Sequence, residues 1–165
     1  MKKIIIKLKA RPKLEKKSNS FHPNFNAREI ALQGIFQMEV SEYQLDEILQ
    51  LKWVHSKLGE SEISLIKDII EGVVESEMDL DSLIQKYSKK DIRTLSNIVK
   101  CVLRMGIYEI LKEEFPAPIV IDTYCTLTRK YDSDHAVKFV NAILDKINKD
   151  LQKTIKESNL QNSNQ

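Results

Sequence analysis

The chain has 165 residues, 42% of them hydrophobic and 30% charged, with four Gly, four Pro and two Cys. That length suits one domain that buries its own core without a disulfide or metal staple, and no apolar run approaches the roughly 18 residues of a membrane span. The net charge of +2 hides an asymmetry: residues 1–20 carry eight Lys and Arg against Glu15 alone, a net +7, so the other 145 residues sum to −5.

Residues 1–20 have no helical period, contain Pro12 and end in Lys-Lys-Ser-Asn-Ser. They read as a flexible basic arm, which serves either as a handle for a polyanion or as a solvated tail. Lys2 and Lys3 precede Ile4-Ile5-Ile6, but Lys7 and Lys9 end that run before it reaches the about 7–15 apolar residues of a secretion signal. Cys101 and Cys125 fall inside apolar helical patterns and form no spaced pair, which suits small core residues in a reducing cytoplasm.

The body is expected over residues 21–155, with a polar tail at 156–165 that should fray. A first helix should start at Asn26, where Asn26 and Glu29 have the spacing of a capping box, and carry Ala27, Ile30, Ala31, Gly34, Ile35 and Met38 on one stripe. A second should run over about 44–58, with Leu45, Ile48, Leu49 and Trp53 on one face and Gly59 as its stop. A third covers about 62–77 with Ile66, Ile69, Ile70, Val73 and Val74, and a short fourth begins near Asp79 or Asp81. The fifth, about 95–112, is apolar almost all round, as for a helix at the centre of a bundle. Gly106 in its middle costs about 1 kcal/mol against Ala, which close approach of a neighbouring helix could offset. Pro116 and Pro118 break the chain before a sixth helix at about 119–131, and Asp132 or Ser133 caps a seventh. The fold class is therefore all-α, about seven helices in two packed sub-bundles, about 24–60 and about 61–151.

The chemistry of catalysis is missing from this pattern. The four glycines, Gly34, Gly59, Gly72 and Gly106, are too far apart for a phosphate-cradling loop, so no nucleotide cofactor is expected. His22, His55 and His135 form no i,i+4 pair and sit in no metal-ligand spacing with Cys, so no metal is expected either. Paired acids such as Glu113-Glu114 suit a solvated turn, and the reading is of a protein that is not an enzyme.

Four segments carry a resemblance to a known family. Asn26–Val40 (NAREIALQGIFQMEV), Ile66–Tyr87 (IKDIIEGVVESEMDLDSLIQKY), Cys101–Leu111 (CVLRMGIYEIL) and Pro118–Ile147, ending in KFVNAILDKI, are similar in order and spacing to the helices of the NusB family. The resemblance covers about residues 24–150 and implies the NusB-like helical fold. It implies a transcription antitermination factor that binds single-stranded boxA-type RNA together with the ribosomal protein NusE. Such a factor supports RNA polymerase, with other Nus factors, on ribosomal RNA operons. Two other readings accompany it: a NusB-fold protein–protein interaction module with a reduced RNA role, and a fragment of an rRNA cytosine methyltransferase. Whether the chain is a monomer or a homodimer is left open.

The resemblance also implies residues. Relatives commonly carry an Arg-rich run at the first helix; here Phe21–Ala27 has no basic residue, only Arg28 matches, and the charge lies upstream in Lys2–Lys17. Arg28 is either a phosphate contact or a solvated helix-start residue. Lys138 matches a phosphate contact, and Phe139 either stacks a splayed base or packs in the core. Asn97, Lys100, Arg129 and Lys130 complete the RNA-face candidates, and Asn141 is an interface group or a packed helix residue. Arg104 and Glu109 suit a buried-edge ion pair or a helix-linking hydrogen bond, and Tyr108 suits a core residue with its hydroxyl satisfied. For NusE docking, Phe36 stands where Tyr is usual, and Val99 where an acidic residue is common.

Overall fold

The computed structural model describes residues 24–162, and within them seven α-helices and one 3-10 turn, with no strand. The helices are α1 (Phe25–Val40), α2 (Leu45–Leu49), α3 (Glu60–Glu75), α4 (Glu77–Tyr87), α5 (Asn97–Lys112), α6 (Ala117–Tyr131) and α7 (Asp134–Asn162), with the turn at Ile92–Thr94. The arm at 1–20 and its entry as far as 23 lie outside the described residues, as do 163–165.

The expected all-round apolar helix is α5, and it is the axle of the fold. Every residue from Cys101 to Lys112 is buried. α1, α3 and α4 pack against it, as do α6 and α7, which also pack against each other, and α4 touches α7 as well. Each large aliphatic side chain taken out of water there contributes about 1.5–3 kcal/mol. α3 lies mainly against α1, across the expected boundary at residue 60.

Two glycines permit the closest contacts. A Cβ on Gly72 of α3 would lie 2.1–2.3 Å from Tyr108 side-chain atoms, and one on Gly106 would meet a Leu144 methyl at 2.9 Å. Gly106 therefore sits where α7 leans on α5, offsetting its low helix propensity. Tyr108 is fully buried, and its hydroxyl is 3.3 Å from both oxygens of Asp68 on α3.

Three expected boundaries differ. α1 begins at Phe25 after Asn24, whose φ is 67°, and no side chain caps it. The second helix is five residues long rather than about fifteen. Leu51 turns into the left-handed region at φ 55°, and the Trp53 indole donates to the Ile48 carbonyl at 3.0 Å, so the apolar stripe continues on a turn instead of a helix. At the other end α7 continues to Asn162, into the expected polar tail. Among the described residues no helix is long and apolar enough to cross a membrane.

Candidate nucleic-acid interface

α5 begins where α6 ends and α7 begins, and one serine fastens the three. The Ser96 hydroxyl accepts from the Val99 amide at 3.2 Å, capping α5, and donates to Asp132 Oδ2 at 2.7 Å. Asp132 Oδ1 accepts from the Ser133 amide at 2.7 Å, and Ser133 Oγ accepts from the Ala136 amide at 3.2 Å, capping α7. Burial alone would raise the Asp132 carboxyl, but the Ser133 and Ser96 hydrogen bonds outweigh it and hold it below its ordinary range. The positive ends of two helices thus meet at one end of the molecule, a setting that favours anions.

Most of the candidates from the sequence gather at that end. Asn97 and Lys100 occupy the first turns of α5, Arg129 and Lys130 the last turn of α6, and Lys138 and Phe139 the second turn of α7. Arg129, Lys130 and Lys138 are exposed, while Asn97, Lys100 and Phe139 are half-buried. Lys130 pairs with Glu29 of α1, to which the Tyr131 hydroxyl also donates. Lys100 pairs with Glu39 at 2.5 Å. Phe139 packs on the core, with the Lys90 ammonium 5.6 Å from its ring centroid. That cation lies over an aromatic face that a stacked base would need. Asn141 is exposed, with Oδ1 3.7 Å from the Cys125 sulfur.

Arg28 departs from this group and corrects the reading of it as a phosphate contact. It is 1% exposed, and its guanidinium grips Glu109 of α5 with two hydrogen bonds of 2.7 and 2.8 Å. The same carboxylate accepts from the Tyr124 hydroxyl at 2.6 Å, and the Arg28 guanidinium lies 4.7 Å from the Phe115 ring centroid. Burial alone would lower the Arg28 pKa; the Glu109 charge and hydrogen bonds outweigh it and raise it. Burial first, and then Glu109, hold the Tyr124 hydroxyl well above its usual range, so it stays a donor. A cation at the start of α1 opposes the helix dipole, and its anion is Glu109, 81 residues away, rather than an outside phosphate.

Val99 also departs from its expected place. At 5% exposure its side chain belongs to the core, so it offers a docking partner nothing. Phe36 is half-buried against the core, with Val40 and Tyr43 about half exposed further along the same stretch. Arg104 and Glu109 do join helices by ion pairs, though not to each other. Arg104 holds Asp81 at 2.7 Å, Glu39 at 2.9 Å and Glu77 at 3.0 Å, tying α5 to α4 and α1. Sequence reasoning does not reach Glu29, Tyr131 or Lys90 as parts of this end. Tyr131 follows Arg129-Lys130 directly, and that adjacency is the one signal available for it. The spacing of Glu29 from Asn26 points to a cap that Glu29 does not make.

The family model described as "NusB family" matches residues 25–149. The chain is 30% identical over 120 residues to the transcription antitermination protein NusB of Leptospira biflexa serovar Patoc, covering 72% of this chain and 86% of that protein. The structure is similar to that of T. maritima NusB, with a TM-score of 0.71 and 28% identity over 77% of this chain and 91% of the other. A structure of the antitermination factors NusB and NusE in complex with double-stranded RNA shares the fold, with a TM-score of 0.69, 23% identity, and coverage of 76% of this chain and 95% of the other.

Proposed function

The chain belongs to the NusB family, and on that premise we propose that it is a transcription antitermination factor, binding single-stranded boxA-type RNA together with the ribosomal protein NusE. What supports the RNA reading is that exposed Arg129 and Lys130 end α6 and exposed Lys138 lies in the second turn of α7, on either side of the junction where Ser96 and Asp132 tie the start of α5 to the α6–α7 turn. Solvent-exposed cations at capped helix ends suit phosphate contacts, which position an RNA strand without reading its bases. The basic arm at 1–20 adds non-specific affinity from its net +7. NusE docks on the stretch around Phe36, where an apolar contact persists without the tyrosine hydroxyl. The complex acts on RNA polymerase with other Nus factors, in the cytoplasm, on ribosomal RNA operons.

A second reading, a protein–protein module of the same fold with a reduced RNA role, is favoured by one specific observation. Three of the cations assigned to RNA, Arg28, Lys100 and Lys130, already hold carboxylates of the same chain. Titration of a boxA-containing RNA and a scrambled control, with and without NusE, separates the two. NusE-enhanced, boxA-selective binding is expected. Tight NusE association with no RNA binding would leave the interaction module, and equal salt-sensitive binding to both RNAs would leave only the arm.

A further inference from the structure

We propose that Glu29 is an internal stand-in for an RNA phosphate: its carboxylate takes up the Lys130 ammonium and the Tyr131 hydroxyl, and bound RNA displaces it. The inference rests on the reading of Arg129, Lys130 and Lys138 as the RNA-facing margin.

The donors around Glu29 are those an oxyanion needs. Lys130 Nζ and the Tyr131 hydroxyl both donate to Glu29 Oε1. Gln33 Nε2, one turn along α1, reaches the Tyr131 oxygen at 3.4 Å, and the Lys130 ammonium lies 5.5 Å from the Tyr131 ring centroid. A phosphate oxygen accepts from an ammonium and a phenol in the same way. The pair is open to exchange from one side, because the Lys130 side chain is 53% exposed while that of Glu29 is 14% exposed beneath it.

The neighbouring ion pairs are built differently. Arg28–Glu109 is sealed in the core, and Lys100–Glu39 is woven into the Arg104 cluster with both members below 20% exposure. In the Glu29–Lys130 pair the ammonium stays open to water and salt, so the pair contributes less to folding than the two sealed ones. The consequence of Glu29 is instead on charge. It cancels one of the two adjacent cations Arg129 and Lys130. RNA binding there exchanges one anion for another, so both affinity and salt dependence fall below what a count of cations implies.

The test uses the full chain and two fluorescent single-stranded RNAs, one carrying a boxA element and one scrambled, titrated over a range of KCl. Glu29→Gln is expected to tighten binding to both RNAs by about 3–10-fold at low salt and to steepen the log–log salt slope by about 0.7, as for one phosphate contact on a single strand. Lys130→Gln is expected to weaken binding, and the double variant to match Lys130→Gln, since without the ammonium Glu29 has nothing to screen. Asp134→Asn, which removes an exposed acid at the same end, is expected to change affinity far less. Unchanged or weaker binding by Glu29→Gln, with Lys130→Gln still weakening it, overturns the inference and leaves the site standing. An equal gain from Asp134→Asn reduces the effect to bulk charge and overturns it too. No effect of Lys130→Gln removes Lys130 from the RNA margin and the inference with it.

Discussion

Arg28 shows how one residue type at one position supports opposite roles. A lone arginine at the start of a helix, in a chain read as RNA-binding, invites assignment to phosphate. Its side chain instead turns inward and satisfies Glu109, which also takes the Tyr124 hydroxyl. Removing one member of a buried pair strands the other charge, which typically costs about 3–5 kcal/mol. Arg28→Ala should therefore lower unfolding stability by about that amount, read by urea denaturation. Arg28→Met with Glu109→Gln should recover a large part of the loss, because Gln still accepts from Tyr124 and no charge is left buried. RNA affinity per folded molecule should be unchanged in that double variant; a loss comparable to that of Lys130→Gln would return Arg28 to the RNA face. Neither this pair nor Glu29–Lys130 is legible in the sequence. Partners 81 and 101 residues apart leave no local pattern, and the one local pattern at Glu29, its spacing from Asn26, points to a cap.

At the scale of elements, periodicity finds what is held by apolar packing and misses what is decided by single polar contacts. The all-round apolar run of α5 announces a central helix, and Gly106 a close neighbour, because both follow from side-chain volume along one segment. The end of α2 depends on the Trp53 indole reaching back to the Ile48 carbonyl, which no hydrophobic stripe encodes. The joint between α1, α4 and α5 is likewise polar: Glu39 takes Lys100 at 2.5 Å and Arg104 at 2.9 Å, and Arg104 also holds Asp81 and Glu77. Burial alone would raise the Glu39 carboxyl, but hydrogen bonds from Lys100 and Arg104 outweigh it and lower it below the ordinary 4.5. A carboxyl whose pKa is lower folded than unfolded binds fewer protons in the folded state. Its stabilisation is then complete above the unfolded value and is lost as pH falls through the folded one. Glu29 and Asp132 shift in the same direction. The urea midpoint should therefore change little from neutral pH down to about 5 and fall steadily below about 4.5. Glu39→Gln should start from a lower midpoint and fall less steeply on acidification; a parallel fall would mean that Glu39 does not carry the acid sensitivity.

On the scale of the whole molecule, charge and fold are carried by different parts of the chain. The family match covers residues 25–149, while the net +7 lies in residues 1–20 and the remainder is −5. An RNA approaching the α5–α6–α7 end meets a few exposed cations set among carboxylates that already occupy Lys100 and Lys130. Residues 1–20 carry a larger surplus of charge, and phosphate contacts need only nearness to the backbone. The two parts should then separate in one titration series. Deleting residues 1–20 should weaken binding to boxA and scrambled RNA by the same factor, and flatten the log–log salt slope by about 0.7 for each phosphate that the arm neutralises. The preference for boxA over the scrambled strand in the presence of NusE should survive, on the reading that bases are selected by groups on α5, α6 and α7 and not by the lysines of residues 1–20. Substituting Arg129 and Lys138 together should weaken boxA binding with the arm still present, and in the deleted chain should abolish it. An unchanged salt slope after the deletion would confine RNA binding to the helical end and leave the arm's charge without a role in it.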